Sequence, residues 1–125
     1  MRFLIADRQP SARSALRLLL EQYPDMEYAG ETGDFDGLLK LSQGTEPGLL
    51  LMEWEILGCW PKGKLSAIKA TCPMTVVVLS CCLDRAVALN AGADYYVSKG
   101  DKPEHLIGVL EDIRSHSVAD PRRSR

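Results

Sequence analysis

GLLLMEWEILG, residues 48–58, passes through four apolar side chains without a break and then stops on an acid, Glu53. An unbroken apolar run of this kind belongs to a parallel strand covered on both faces, and TVVVL at residues 75–79 is a second one. RFLIA at 2–6, MEYAGE at 26–31 and YYV at 95–97 complete a set of five strands. MEYAGE alternates Met26, Tyr28 and Gly30 with polar partners, which places it nearer an edge of the sheet, with the third and fourth strands central.

Helical patterns fill the gaps. Pro10 opens the first, whose Ala12, Ala15, Leu16, Leu19 and Leu20 keep the spacing of one buried face while Arg17 and Glu21 pair on the other. Asp34 caps a second, with Phe35, Leu38 and Leu39 inward and Gly44 closing it. A short third helix covers Lys64 to Ala70, and a fourth runs from about Asp84 to Asn90 and stops at Gly92. In the last, Asp101 and Glu104 form a D-x-x-E capping box ahead of the stripe Leu106, Ile107, Leu110 and Ile113. Strictly alternating strands and helices predict an α/β fold, a (βα)5 doubly wound parallel sheet with helices on both faces. One domain is expected over residues 1–116, with 117–125 as a tail or the start of a linker, because the helical pattern lapses from about Ser115.

The 125 residues suffice for one core, and 46% hydrophobic with 26% charged residues is a globular composition. A net charge of −2 supplies no field for direct nucleic-acid or membrane binding, and the basic PRRSR at 121–125 reads as a solvated end. No signal peptide or spanning segment is expected, so the chain is placed in the cytoplasm. Four cysteines without CxxC pairing do not suggest zinc; Cys81 and Cys82 read as small buried packing residues.

Each apolar run ends on polar residues: Asp7 and Arg8, Glu53, Ser80, then Ser98 and Lys99. In an open parallel sheet, ligand sites lie beyond the carboxyl ends of the strands. Acids, a hydroxyl and a lysine gathered there suit a phosphoryl group, the acids holding a metal or accepting the group while Ser80 and Lys99 bind its oxygens.

Through FLIADRQPSARSALRLLLEQYPDMEYAGE, LLLMEWEILG, TVVVLS and AGADYYVSKGDKPEHL, nearly the whole chain resembles the receiver domains of bacterial two-component response regulators. The resemblance implies a flavodoxin-like sheet of order 2-1-3-4-5. It also implies a phosphoacceptor at Glu53, an acidic pocket at Asp7 and Arg8, phosphoryl binding by Ser80 and Lys99, and a state-reporting aromatic at Tyr96. Two positions depart from the family pattern. Arg8 stands where a second metal-binding acid belongs, and Glu53 where the phosphorylated aspartate belongs. In addition, Leu57 replaces a common proline, CWPKGK follows Gly58, and the stretch between Ser80 and Gly92 is short for the family.

Three acids and a lysine would leave two negative charges for magnesium to balance, whereas Asp7 and Glu53 against Arg8 and Lys99 sum to zero. Magnesium binding is therefore expected to be weak or absent, with Asp7 and Glu53 as remnants of its site, and no cofactor is expected. Arg8 either pairs with Glu53 or Asp7 in the metal's place, or points to solvent. The additional methylene of a glutamate moves the reacting oxygen by more than about 1 Å, a displacement that costs about a hundredfold in a positioned reaction. The residues leave open whether Glu53, reaching toward Ser80 and Lys99, imitates a phosphorylated state or is neutralised by Arg8. Tyr96 could equally be a plain apolar cover for the sheet end. Trp54 and Trp60 flank the pocket loop as possible covers for it, and Trp60, if exposed, is a candidate partner contact.

The expected function is an atypical receiver acting in signal transduction or transcriptional regulation by protein contact, not an enzyme, with no catalytic residue assigned. Its partner would be a protein or an output domain. The family's contact surfaces, the fourth helix, fifth strand and fifth helix, or the first and fifth helices, would serve a homodimer. One alternative is a conventional phosphorelay receiver of a DNA-binding regulator. A less favoured one is a haloacid-dehalogenase-like phosphohydrolase with Asp7 as nucleophile, which would need an acid where Gln9 stands.

Overall fold

A computed structural model describes residues 1–81 and 83–119, the side chains of 117–119 excepted. The elements are β1 (Arg2–Ala6), α1 (Pro10–Leu20), β2 (Glu27–Thr32), α2 (Phe35–Thr45), β3 (Leu49–Glu53), a 3-10 turn η1 (Trp54–Leu57), α3 (Lys64–Thr71), β4 (Thr75–Ser80), α4 (Arg85–Asn90), β5 (Tyr95–Ser98) and α5 (Pro103–Ala119). The five strands form one parallel sheet in the order β2-β1-β3-β4-β5, as the resemblance implies.

Strand periodicity divides the core in two. Phe3, Ile5, Leu49, Leu51, Val77, Leu79 and Val97 face one side and pack with Leu20 of α1 and Leu106, Leu110 and Ile113 of α5. Leu4, Ala6, Leu50, Met52, Val76 and Val78 face the other, with Leu38 of α2, Leu65 and Ile68 of α3 and Ala88 of α4. Two covered faces account for the unbroken apolar runs of β3 and β4, every residue of which is buried. β2 lies at an edge, and its alternation is interrupted where the register against β1 slips between Phe3 and Leu4. Gly30 takes up that slip at φ 151, a conformation strained for other residues, with Leu41 packed close above it.

Several local expectations are corrected. α2 passes through Gly44 and ends on Glu46 at φ 49. Ser42 and Thr45 hydroxyls, bonded back to the carbonyls of Leu38 and Leu41, hold its last turns, and Pro47 forbids continuation. The D-x-x-E capping box does not form: α5 begins at Pro103, a favoured first helical residue, and Asp101 Oδ2 lies 2.7 Å from His105 Nδ1 instead. α5 continues to Ala119, past the lapse at Ser115, because helix needs no apolar stripe once the backbone ladder is running. Ala15 is exposed, because it borders an open groove between α1 and the start of α5 in place of the packed core. The caps at Asp34 and Asp84 are present, through Gly37 N at 2.7 Å and Ala86 N at 2.8 Å, and Arg17 pairs with Glu21. Residues 121–125 and Cys82 lie outside the described residues.

Candidate functional site

The strand order reverses between β1 and β3, and their carboxyl ends carry Asp7, Arg8 and Glu53, with Ser80 and Lys99 following from β4 and β5. Asp7 is fully buried. Its Oδ1 accepts the Gln9 N–H at 2.9 Å and its Oδ2 lies 2.7 Å from Lys99 Nζ. The backbone carbonyl of Asp7 accepts from the Arg13 guanidinium at 2.6 Å, which ties the pocket to α1.

Glu53 is the most heavily bonded group of the site. Arg8 grips it as a fork, Nε donating to Oε1 at 2.9 Å and the terminal nitrogen to Oε2 at 3.2 Å, while the Arg8 backbone N–H adds a third bond to Oε1 at 3.1 Å. Lys99 Nζ reaches Oε2 at 3.1 Å and so bridges Glu53 to Asp7. The side chain of Arg8 is 57% exposed and that of Glu53 only 5%, so a solvated cation covers a buried anion. Burial pushes the Glu53 carboxyl up, but the bonds from Arg8 and Lys99 outweigh it and hold the group at about 2. The same balance acts on Lys99: burial lowers its pKa, and bonding to Asp7 and Glu53 raises it more. Of the alternatives left open for Arg8, the structure shows pairing with Glu53.

Ser80 corrects the sequence reading. Its hydroxyl does not meet Glu53 but donates to Glu55, at 3.0 Å to Oε1 and 3.3 Å to Oε2. Glu55 lies in the 3-10 turn and was missed because its partner is twenty-five residues away; the E-x-E spacing after β3 was its only trace. Counting it, three carboxylates face two cations, and the net charge is one negative instead of zero. Tyr96 turns its hydroxyl to the carbonyls of Leu83 at 2.8 Å and Ser80 at 3.3 Å, and burial raises its pKa. Trp60 is 82% exposed and does not cover the pocket, whereas Trp54 packs against the core. Cys81 is exposed, contrary to its reading as a packing residue, because it sits just past the end of β4 on the loop to α4.

The fit of a divalent metal can be judged from the donor set. Both Glu53 oxygens and Asp7 Oδ2 are already approached by Arg8 or Lys99, Asp7 Oδ1 accepts the Gln9 N–H, and a guanidinium stands beside the acids where a metal would need anionic or neutral oxygens. These residues as arranged do not fit magnesium.

No family model matches the chain. It is 30% identical over 116 residues to the nitrate/nitrite response regulator protein NarP of Escherichia coli, a match spanning 90% of this chain and 53% of NarP. It is 29% identical over 114 residues to the uncharacterized transcriptional regulatory protein YxjL of Bacillus subtilis, spanning 88% of this chain and 52% of YxjL. The chain thus spans about half the length of the curated relatives it matches. Among solved structures, the response regulator domain of Thermotoga maritima CheB superposes with a TM-score of 0.79 at 22% identity, covering 97% of this chain and 98% of that one. The isolated REC domain of RcsB from Salmonella enterica serovar Typhimurium, in the presence of phosphomimetic BeF3-, gives 0.80 at 22% identity, covering 92% and 88%.

Proposed function

Because the chain belongs to the receiver domains of response regulators in two-component signalling, we propose that it relays a signal by protein contact, without magnesium-dependent phosphorylation of an aspartate. The observation that carries this reading is the fork of Arg8 on Glu53, with Lys99 bridging to Asp7. Both acids that would hold a metal or take a phosphoryl group are already neutralised by side chains of the same chain. Glu53 is then a neutralised anchor, and its oxygens are saturated before any phosphodonor arrives. The partner is a protein or an output domain of a transcriptional regulator, as the names of the relatives suggest. A homodimer through α1 and α5, or through α4, β5 and α5, is compatible with the exposed apolar Leu18 on α1 and Val87 and Leu89 on α4.

A conventional phosphorelay receiver of a DNA-binding regulator would need Arg8 to leave Glu53 and an acid to replace it. A phosphohydrolase would need Asp7 as nucleophile, yet that carboxylate is fully buried with both oxygens bonded. The test is a magnesium titration into the millimolar range, followed by NMR. Side-chain carboxyl resonances of Asp7 and Glu53 should stay in place; saturable shifts at both would overturn the proposal.

A further inference from the structure

We infer that Glu55 is the positioning residue of the β4–α4 loop, holding Ser80 and through it the exposed face of α4. This inference rests on the proposal that the domain works by protein contact without magnesium-dependent phosphorylation, and identifies a charge that sets the contact surface.

Ser80 is 2% exposed, so its hydroxyl needs an internal acceptor. Glu53 does not supply one, since Arg8 and Lys99 occupy both of its oxygens. Glu55 does, with both carboxylate oxygens within reach of Ser80 Oγ. The main chain of Ser80 is a second junction, its carbonyl accepting the Lys99 N–H at 3.0 Å and the Tyr96 hydroxyl at 3.3 Å. Tyr96 shares its one hydroxyl proton between that carbonyl and the nearer Leu83 O at 2.8 Å, one residue before the Asp84 cap of α4. A continuous path of hydrogen bonds therefore runs from η1 through Ser80 and Tyr96 to the start of α4.

Among the described residues, α4 itself is anchored to the core chiefly through Ala88, with Leu83 and Ala91 flanking it. It is six residues long and buries only Ala88, while Val87 and Leu89 are 48% and 36% exposed. A helix this short has no independent stability, so its placement depends on the loop that precedes it. An acid in the pocket wall thereby sets the position of an apolar surface suited to a protein partner, with no bound ligand needed.

The experiment is amide hydrogen exchange on the intact chain carrying Glu55→Ala, Ser80→Ala, both together, Glu55→Gln, or Glu53→Gln. Glu55→Ala should speed exchange at Leu83 to Ala88 by roughly tenfold or more, the loss expected for a charge-assisted bond to a buried hydroxyl. Ser80→Ala should match it and the double variant should add little, because the two act as one unit. Glu55→Gln, which keeps an acceptor, should stay within about threefold, and Glu53→Gln within about twofold, on the same principle. Exchange in β1 and β3 reports whether each variant is folded. Unchanged exchange in folded Glu55→Ala, or additive effects of the two alanines, would overturn the inference. Its failure is distinct from that of the proposed function: magnesium binding by the unmutated chain would defeat the latter and leave the Glu55 result standing.

Discussion

Replacing Glu53 by glutamine should flatten the acid side of the stability profile. The folded state holds this carboxyl at about 2 against an ordinary 4.5, so the native form binds its proton later than the unfolded one. A depressed pKa contributes stability that is complete above 4.5 and is lost as pH falls toward 2. At about 1.4 kcal/mol per pH unit the ceiling is about 3 kcal/mol. Arg8, the principal donor, is more than half exposed, and solvent screening of that partner reduces the figure to about 2 kcal/mol. Urea unfolding of the unmutated chain and of Glu53→Gln at pH 6 and pH 3 measures the difference directly. Over that interval the variant should lose about 1 to 1.5 kcal/mol less than the parent. Arg8→Ala should act in the same direction, lowering stability at neutral pH as well. Superimposable acid profiles for parent and Glu53→Gln would refute the reasoning, since Glu53 would then not be held ionised by its partners.

Lys99→Ala should be more damaging than Arg8→Ala, at about 3–5 kcal/mol in urea unfolding, because it strips fully buried Asp7 of the only cation within 4 Å of its carboxylate among the described residues. The double change Arg8→Asp with Glu53→Asp removes the fork and rebuilds an acid cluster beside Asp7. It should acquire a magnesium-dependent change in the fluorescence of the adjoining Trp54, and the parent should show none. Gly37→Ala should lower the melting temperature, although alanine ordinarily gains about 1 kcal/mol over glycine in a helix. Its Cβ would fall 2.1 Å from Thr32 Oγ1 and 3.0 Å from Asp34 Oδ1, and relieving that overlap costs about 1–3 kcal/mol.

Strand identity was legible wherever burial decided it: β3 and β4 carry the unbroken apolar runs 49–52 and 76–79 because helices cover both faces, and those runs say so without any tertiary knowledge. Edge strand β2 was legible from its alternation, but the register slip at Gly30 was not, since it depends on how β1 and Leu41 approach it. Site residues at strand ends were legible because the end of an apolar run is itself the geometric marker. Their pairings were not. Glu53 had two plausible cations and a hydroxyl within reach in sequence terms, and only the fold shows Arg8 and Lys99 taking it while Ser80 turns to Glu55. The capping box at Asp101 failed for a related reason, because Asp101 found His105 one turn along and Pro103 set the helix start.

Incubation of the unmutated chain with a small-molecule phosphodonor and magnesium, followed by intact-mass measurement and peptide mapping, tests the central claim most directly. A pocket whose acids are held by Arg8 and Lys99 predicts an unchanged mass. An added phosphate mapped to Glu53 or Asp7 would contradict it.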